Sequence, residues 1–292
     1  MPRIRLRTLN LLAKVSLFFI AGIVVTGAAV RLSGSGLGCS DWPRCNADRF
    51  VDVSTHHGRI EQVNRLFTGV VAVAVILAML GAQRLREPNR RLRLLGAMLV
   101  LGVVGQIVLG GIVVLTGLNP FANLGHFALS MFLVATNVGM VVESGQRRMV
   151  SVPRSIVRLG NSLMALTCGL LLAGMVVTGS GPHAGDEEAK RFGLSVEGTS
   201  RIHSVLAWFT LAMVAFFIYR VRRAGAWSEW FEQRTQMILY VLVAQGAVGY
   251  WQYFTDVPAG LVGVHVALAT ILFITVVRLW WECRLFAVSC TN

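Results

Sequence analysis

The feature that most constrains this chain is a succession of eight apolar runs, near residues 10–30, 63–83, 94–117, 121–142, 157–179, 201–220, 235–254 and 260–281. A helix crosses the hydrocarbon core of a bilayer with about 20 apolar residues, and it does so because its backbone groups are satisfied within the segment. The sequence therefore predicts an all-α integral membrane protein with eight transmembrane helices. The unbroken runs exclude a transmembrane barrel, whose strands alternate in polarity. Of the 292 residues 55% are hydrophobic and 14% charged, so little chain is left for a soluble domain. The 30 glycines show no collagen-like period and fit close helix packing.

Charge sets the topology. Arg84, Arg86, Arg90, Arg91 and Arg93 lie between the second and third runs, Arg147, Arg148, Arg154 and Arg158 between the fourth and fifth, and Arg220, Arg222, Arg223 and Arg234 around the connection of the sixth to the seventh. Together with the termini, this face carries 19 Lys/Arg and 5 Asp/Glu against 8 and 9 on the other, a net +14 and −1 that recover the chain's +13. Such a bias assigns the basic face and both termini to the cytoplasm, with the loops after helices 1, 3, 5 and 7 external. Arg3, Arg5 and Arg7 precede a run too long for a signal peptide and without a convincing cleavage site, so it reads as an uncleaved first helix. The basic charge reports topology and contact with anionic lipid; no nucleic-acid partner is expected.

The two halves repeat. Adding 139 carries Val104, Gln106, Gly110, His126, Ala128 and Leu129 onto Val243, Gln245, Gly249, His265, Ala267 and Leu268. At an offset of 152, Gly22–Gly27 (GIVVTG) matches Gly174–Gly179 (GMVVTG), because the first external loop is about 13 residues longer. Four spans per half make this a parallel repeat about an axis along the membrane normal. The expected organisation is two four-helix bundles, residues 1–146 and 147–292.

Ionisable residues within spans are costly and call for a functional hypothesis. His126, His203 and His265 fall near the external starts of helices 4, 6 and 8. His203 and His265 lie at about the same depth on helices of one bundle, an arrangement that offers two imidazoles to one metal. No carboxylate or cysteine completes a tetrahedral zinc set; a haem iron with two axial histidines fits better. The first half has His126, but Asn64 stands at the counterpart of His203. That asymmetry points to a stably held cofactor in the second half and a weaker or exchangeable site in the first.

Glu61 precedes Asn64 by three residues and Arg65 by four. It reads either as a first-turn carboxylate favoured by the helix dipole and paired with Arg65, or as an acid/base or charge-stabilising group facing the first-half pocket. His57 is one helical turn before Glu61; His56 and His57 read as solvated loop residues, the alternative being that one of them reaches the pocket if helix 2 extends outward. Cys39 and Cys45 share the first external loop and form either a local disulfide in an oxidising compartment or a redox pair. Cys168 reads as packing, and Cys283 and Cys290 as reduced thiols near the cytoplasmic end. The run Gly34-Ser35-Gly36-Leu37-Gly38 does not join a strand to a helix, which rejects a dinucleotide fingerprint; it reads as a flexible turn.

The run Arg31-Leu32-Ser33-Gly34-Ser35-Gly36-Leu37-Gly38-Cys39-Ser40-Asp41-Trp42-Pro43-Arg44-Cys45, with Glu61, Asn64-Arg65, His126, His203 and His265, resembles the haem A synthase family over essentially the whole chain. The resemblance implies an enzyme that oxidises the C8 methyl of haem O to a formyl group, giving haem A for cytochrome oxidase. It implies haem b as cofactor on His203 and His265. It implies a substrate-haem pocket with His126 as iron ligand and Asn64 in its wall, Glu61 in the methyl oxidation, and Cys39 and Cys45 as the family's external pair. The family motif is Glu-x-x-His-Arg where this chain has Glu61-Gln62-Val63-Asn64-Arg65. Besides haem O, haem A and membrane lipid, haem O synthase, cytochrome oxidase assembly factors and a second copy of the chain are the partners to consider. The expected location is the cell membrane, multi-pass, with the haem sites toward the external face. The competing class is a non-enzymatic b-type cytochrome exchanging electrons with quinone; a transporter is weaker, since the spans lack further paired charges along a pathway.

Overall fold

A computed structural model describes residues 3–145 and 151–287. Arg147, Arg148, Cys290 and the expected boundary between the halves lie outside the described residues. Eight helices run in order: α1 (Leu6–Leu32), α2 (His56–Gln83), α3 (Arg90–Leu115), α4 (Pro120–Glu143), α5 (Arg154–Ser180), α6 (Val196–Arg223), α7 (Glu229–Phe254) and α8 (Ala259–Leu285). The described residues contain no β-strand, only two isolated bridges.

Local chemistry starts these helices earlier than hydropathy alone places them. Thr55 accepts from the Gly58 N–H, Asn89 from Leu92, Ser195 from Gly198 and Ser228 from Phe231. Asn119 accepts from Phe121 and Ala122, with Pro120 at the first helical position. These caps satisfy N–H groups that a helix start leaves free. The helices therefore reach beyond the apolar runs at their N-terminal ends, by seven residues in α2 and five in α6.

Seven helices are long and apolar enough to cross a membrane; α7 is the exception. Its first two turns carry Glu229, Glu232, Gln233, Arg234 and Gln236, and Gln245 and Gln252 interrupt the apolar remainder of the helix. It still packs as the counterpart of α3. Within the first half α1 meets α2 and α4, and α3 meets α2 and α4; within the second, α5 meets α6 and α8, and α7 meets α6 and α8. Between the halves, α8 packs on α4 and α1, and α4 on α5. Helices α4 and α8 thus form the central seam, and large apolar side chains such as Phe18, Leu101 and Phe254, 72 to 75% exposed, cover the outer surface. In a membrane protein that apolar exterior faces lipid.

Ile4 pairs with Leu85, and Val152 with Ala287. The N-terminal segment therefore lies beside the α2–α3 connection, and the start of α5 beside the end of α8. Buried carboxylates lock this end of the bundles: Glu143 meets Arg91 and Trp281, and Glu282 meets Arg234, Arg278 and Trp230. Glu143 and Glu282 are themselves related by the 139-residue offset, as are Arg91 and Trp230. Aromatic rings lie under Arg222 and Arg284, the pairing expected at a membrane interface.

The central seam depends on a small residue. A Cβ at Gly139 of α4 would stand 2.5 Å from the Trp281 ring of α8, whereas one at Gly69 meets nothing within 4 Å. Gly139→Val is expected to destabilise the protein by about 1–3 kcal/mol through overpacking, read as a lowered thermal unfolding midpoint in detergent. Gly69→Ala serves as the unaffected control.

Candidate functional site

Three histidines lie six or seven residues inside their helices: His126 after Pro120, His203 after Val196 and His265 after Ala259. They lie near the starts of helices 4, 6 and 8 but about 10 Å in at 1.5 Å per residue. For His203 the added depth comes from the cap at Ser195, which starts α6 five residues before its apolar run.

The structure brings His203 and His265 together. Their ring centroids are 6.2 Å apart with the planes inclined at 69°. Two metal–nitrogen bonds of about 2 Å, each extended by about 1 Å to a ring centre, place two opposed imidazole ligands about 6 Å apart. His203 Nδ1 lies 3.1 Å from the Leu170 carbonyl of α5 and donates to it, which leaves Nε2 as the ligand nitrogen. Both imidazoles rest against glycine: a Cβ at Gly174 would lie 3.0 Å from His203, and one at Gly249 would lie 3.1 Å from His265. No cluster of three or more metal-ligating side chains occurs among the described residues, so the pair suits a metal that brings its other ligands with it. The residues present fit a haem.

The first half keeps half of this. His126 stands against Gly110 as His265 stands against Gly249. Asn64 offers no imidazole, and its Oδ1 accepts from the Thr26 hydroxyl of α1 at 2.8 Å. At the α1 position equivalent to Gly174, Gly22 faces Phe67. The duplicated fold therefore keeps His126 and replaces the second imidazole with an interhelical hydrogen bond.

Glu61 sits in the second turn of α2, whose first turn holds no acidic residue, so the dipole reading is set aside. The pairing with Arg65 is formed: Glu61 Oε1 accepts from Arg65 Nη2 at 2.6 Å and from Nε at 3.0 Å. Glu61 Oε2 accepts from the Cys39 N–H at 2.7 Å. Arg65 also donates to the Arg44 and Asp41 carbonyls and lies over the Trp42 ring. This ion pair thus holds the α1–α2 loop against α2.

The preceding glycine-rich run is packed in place. Gly38 rests on the His57 carbonyl so closely that a Cβ there would overlap the oxygen, and this approach lets the next N–H reach Glu61. Ser35 is buried and bonds His57 Nδ1 at 2.9 Å; the His56 and His57 side chains are otherwise exposed. Cys39 and Cys45 have sulfurs 1.98 Å apart. Further along the loop, the Ser54 hydroxyl and N–H, with Asn46, hold the Asp52 carboxyl below its ordinary range. Gly36 N–H donates to Gly185 O at 2.9 Å, tying the α1–α2 loop to the one after α5. Arg31 of α1 reaches across to the Thr178 carbonyl of α5 at 2.6 Å. Cys168 and Cys283 pack in the cores of the two halves.

Residues 10–277 match the COX15-CtaA family, described as cytochrome oxidase assembly protein. The chain belongs to this family. It is the haem A synthase family to which the loop motif and the histidines pointed. Similar proteins include "Heme A synthase" of Lysinibacillus sphaericus (strain C3-41), 31% identical over 129 residues, 43% of this chain and 42% of the relative. That of Bacillus pumilus (strain SAFR-032) is 32% identical over 130 residues, 44% of this chain and 42% of the relative. That of Listeria welshimeri serovar 6b is 33% identical over 119 residues, 40% and 39% of the two chains. The matched stretches span about two fifths of these relatives' length.

Sequence reasoning missed the reach of Arg65 into the loop. Its signal was present: a cation four residues after a carboxylate, with carbonyl-rich turns upstream. Removing it in Arg65→Ala leaves Glu61 buried without its cation, and loss of one partner of a buried pair costs about 3–5 kcal/mol. The expected result is a large fall in thermal midpoint, only partly restored in Arg65→Lys, which lacks the bidentate fork.

Proposed function

We propose that this multi-pass membrane protein takes part in haem A synthesis by oxidising the C8 methyl of haem O to a formyl group, haem O being the substrate and haem A the product. One observation carries the reading: the duplicated bundle places two opposed imidazoles, His203 and His265, in one half, while the other keeps His126 and has the buried Glu61 on the helix that bears Asn64.

In this reading His203 and His265 hold a resident haem b, which supplies one-electron transfer. His126 takes the substrate's iron, and Asn64, bound to Thr26, leaves the opposite face without a second imidazole. That difference suits a haem that must enter and leave. Glu61 has both oxygens occupied by Arg65 and the Cys39 N–H, so it acts as a fixed negative charge rather than as a proton acceptor. Withdrawal of two electrons by an external one-electron oxidant, with loss of a proton from the methyl, leaves positive character on the macrocycle, which a fixed carboxylate stabilises. Water addition with loss of a second proton gives the alcohol; a second round gives a geminal diol, which loses water to the aldehyde. Cys39 and Cys45 form a disulfide that keeps the loop closed over Glu61, and the haem sites lie toward the external face.

Expression with haem O available, followed by pigment extraction, is expected to yield hydroxylated and formyl haem. His203→Ala and His265→Ala should each lose the low-spin haem spectrum. Glu61→Gln, which still accepts from Cys39 N–H, should keep that spectrum while product formation falls about 10²- to 10³-fold. Unchanged haem O beside intact, pigmented protein, with rapid redox exchange with quinol, would instead establish the b-type electron carrier that the His203–His265 pair alone also supports.

A further inference from the structure

Two buried polar groups at the His265 contact have no partner. Gln245 of α7 donates through Nε2 to the His265 carbonyl of α8 at 3.0 Å, and its Oε1 is buried and unbonded. His265 Nδ1 is buried and unbonded too, and the ring edge that bears it faces Gly249, where a Cβ would lie 3.6 Å from that nitrogen. Gly249 is one helical turn from Gln245 on the same face of α7. An unmet donor and an unmet acceptor at one contact are costly inside a membrane, and each is what the other lacks.

The first half repeats the glutamine but not the ring orientation. Gln106 of α3 donates to the His126 carbonyl at 3.0 Å and to Ser130 Oγ at 2.7 Å, with its Oε1 likewise buried and unbonded, whereas the His126 edge that faces Gly110 is the one bearing Nε2. His203 needs no such partner, because its Nδ1 already has the Leu170 carbonyl.

We propose that Gln245 is a positioning residue for the His265 ligand: its Nε2 stays on the His265 carbonyl while its Oε1 accepts the Nδ1 proton, which turns Nε2 to the iron. This rests on the haem reading above. A hydrogen bond accepted from the far nitrogen makes an imidazole a stronger donor to iron and favours the oxidised metal. Glutamine is suited to the role because one side chain carries both the tethering donor and the orienting acceptor.

The test uses the full chain purified with its haem, comparing Gln245→Leu, which removes both functions, with Gln245→Glu, whose carboxylate strengthens the acceptor. Redox titration and the low-spin ferric electron paramagnetic resonance signal are the readouts. The potential of the bis-histidine haem should rise in Gln245→Leu and fall below the parent value in Gln245→Glu, with the resonance signal moving in opposite directions in the two variants. Retention of pigment in Gln245→Glu but not in Gln245→Leu would also support the proposal. A tether acting only through Nε2 gives neither pattern. Shifts of the same sign, a potential in Gln245→Glu at or above the parent, a resonance signal unmoved by either change, or equal loss of pigment would overturn it. A parent protein with no low-spin signal would remove the haem reading itself, a result distinct from these.

Discussion

Inside a bilayer a polar side chain has only other protein groups to satisfy it, and the architecture of this protein depends on where its few buried polar groups find partners. Asn10 reaches from α1 to the Val141 carbonyl and Ser144 of α4, and the Ser16 hydroxyl and the Asn137 amide, 2.7 Å apart, join the same two helices. Gln106 and Gln245 tie α3 to α4 and α7 to α8. Apolar contact alone gives little preference between protein and lipid neighbours, so these bonds and close packing at small residues define which helix lies beside which.

Duplication gives the second level of organisation. Gln106 and Gln245, His126 and His265, Gly110 and Gly249, Glu143 and Glu282 occupy equivalent places, so each half contains the same α3–α4 or α7–α8 contact with an imidazole beside a glycine. The halves diverge on the other wall. Where α6 carries His203 packed on Gly174, α2 carries Asn64 bonded to Thr26. The ion pair of Glu61 and Arg65 has no counterpart in the second half, where Ser200 and Ser204 stand at those positions. One copy retains two facing imidazoles; the other has exchanged one of them for a loop clamped over a charged helix turn.

Much of this was legible in the chain itself. The apolar runs fix the number of helices because a bilayer sets their length, and the arginine bias groups the even-numbered connections on one face, in keeping with the pairing of Ile4 with Leu85 and of Val152 with Ala287. The repeat could be read because Gln and His are scarce among the spans, so their recurrence at one offset stands out. Residue type and spacing also identified the three histidines, Glu61 with Arg65, and the cysteine pair.

What tertiary structure decided is which of these residues meet. Hydropathy places a helix end only where polarity changes, whereas capping by Thr55 and Ser195 starts α2 and α6 five to seven residues before their apolar runs and sets His203 two turns deep. No spacing rule relates Cys39 to Glu61 or Asp41 and Arg44 to Arg65, because those bonds close a loop whose path depends on Gly38 lying against the His57 carbonyl. Local sequence determines helices, their orientation and their inventory of chemical groups, since those depend on neighbours along the chain and on the solvent. The separation of His203 from His265, and the unmet atoms beside them, arise only when helices distant in sequence pack together.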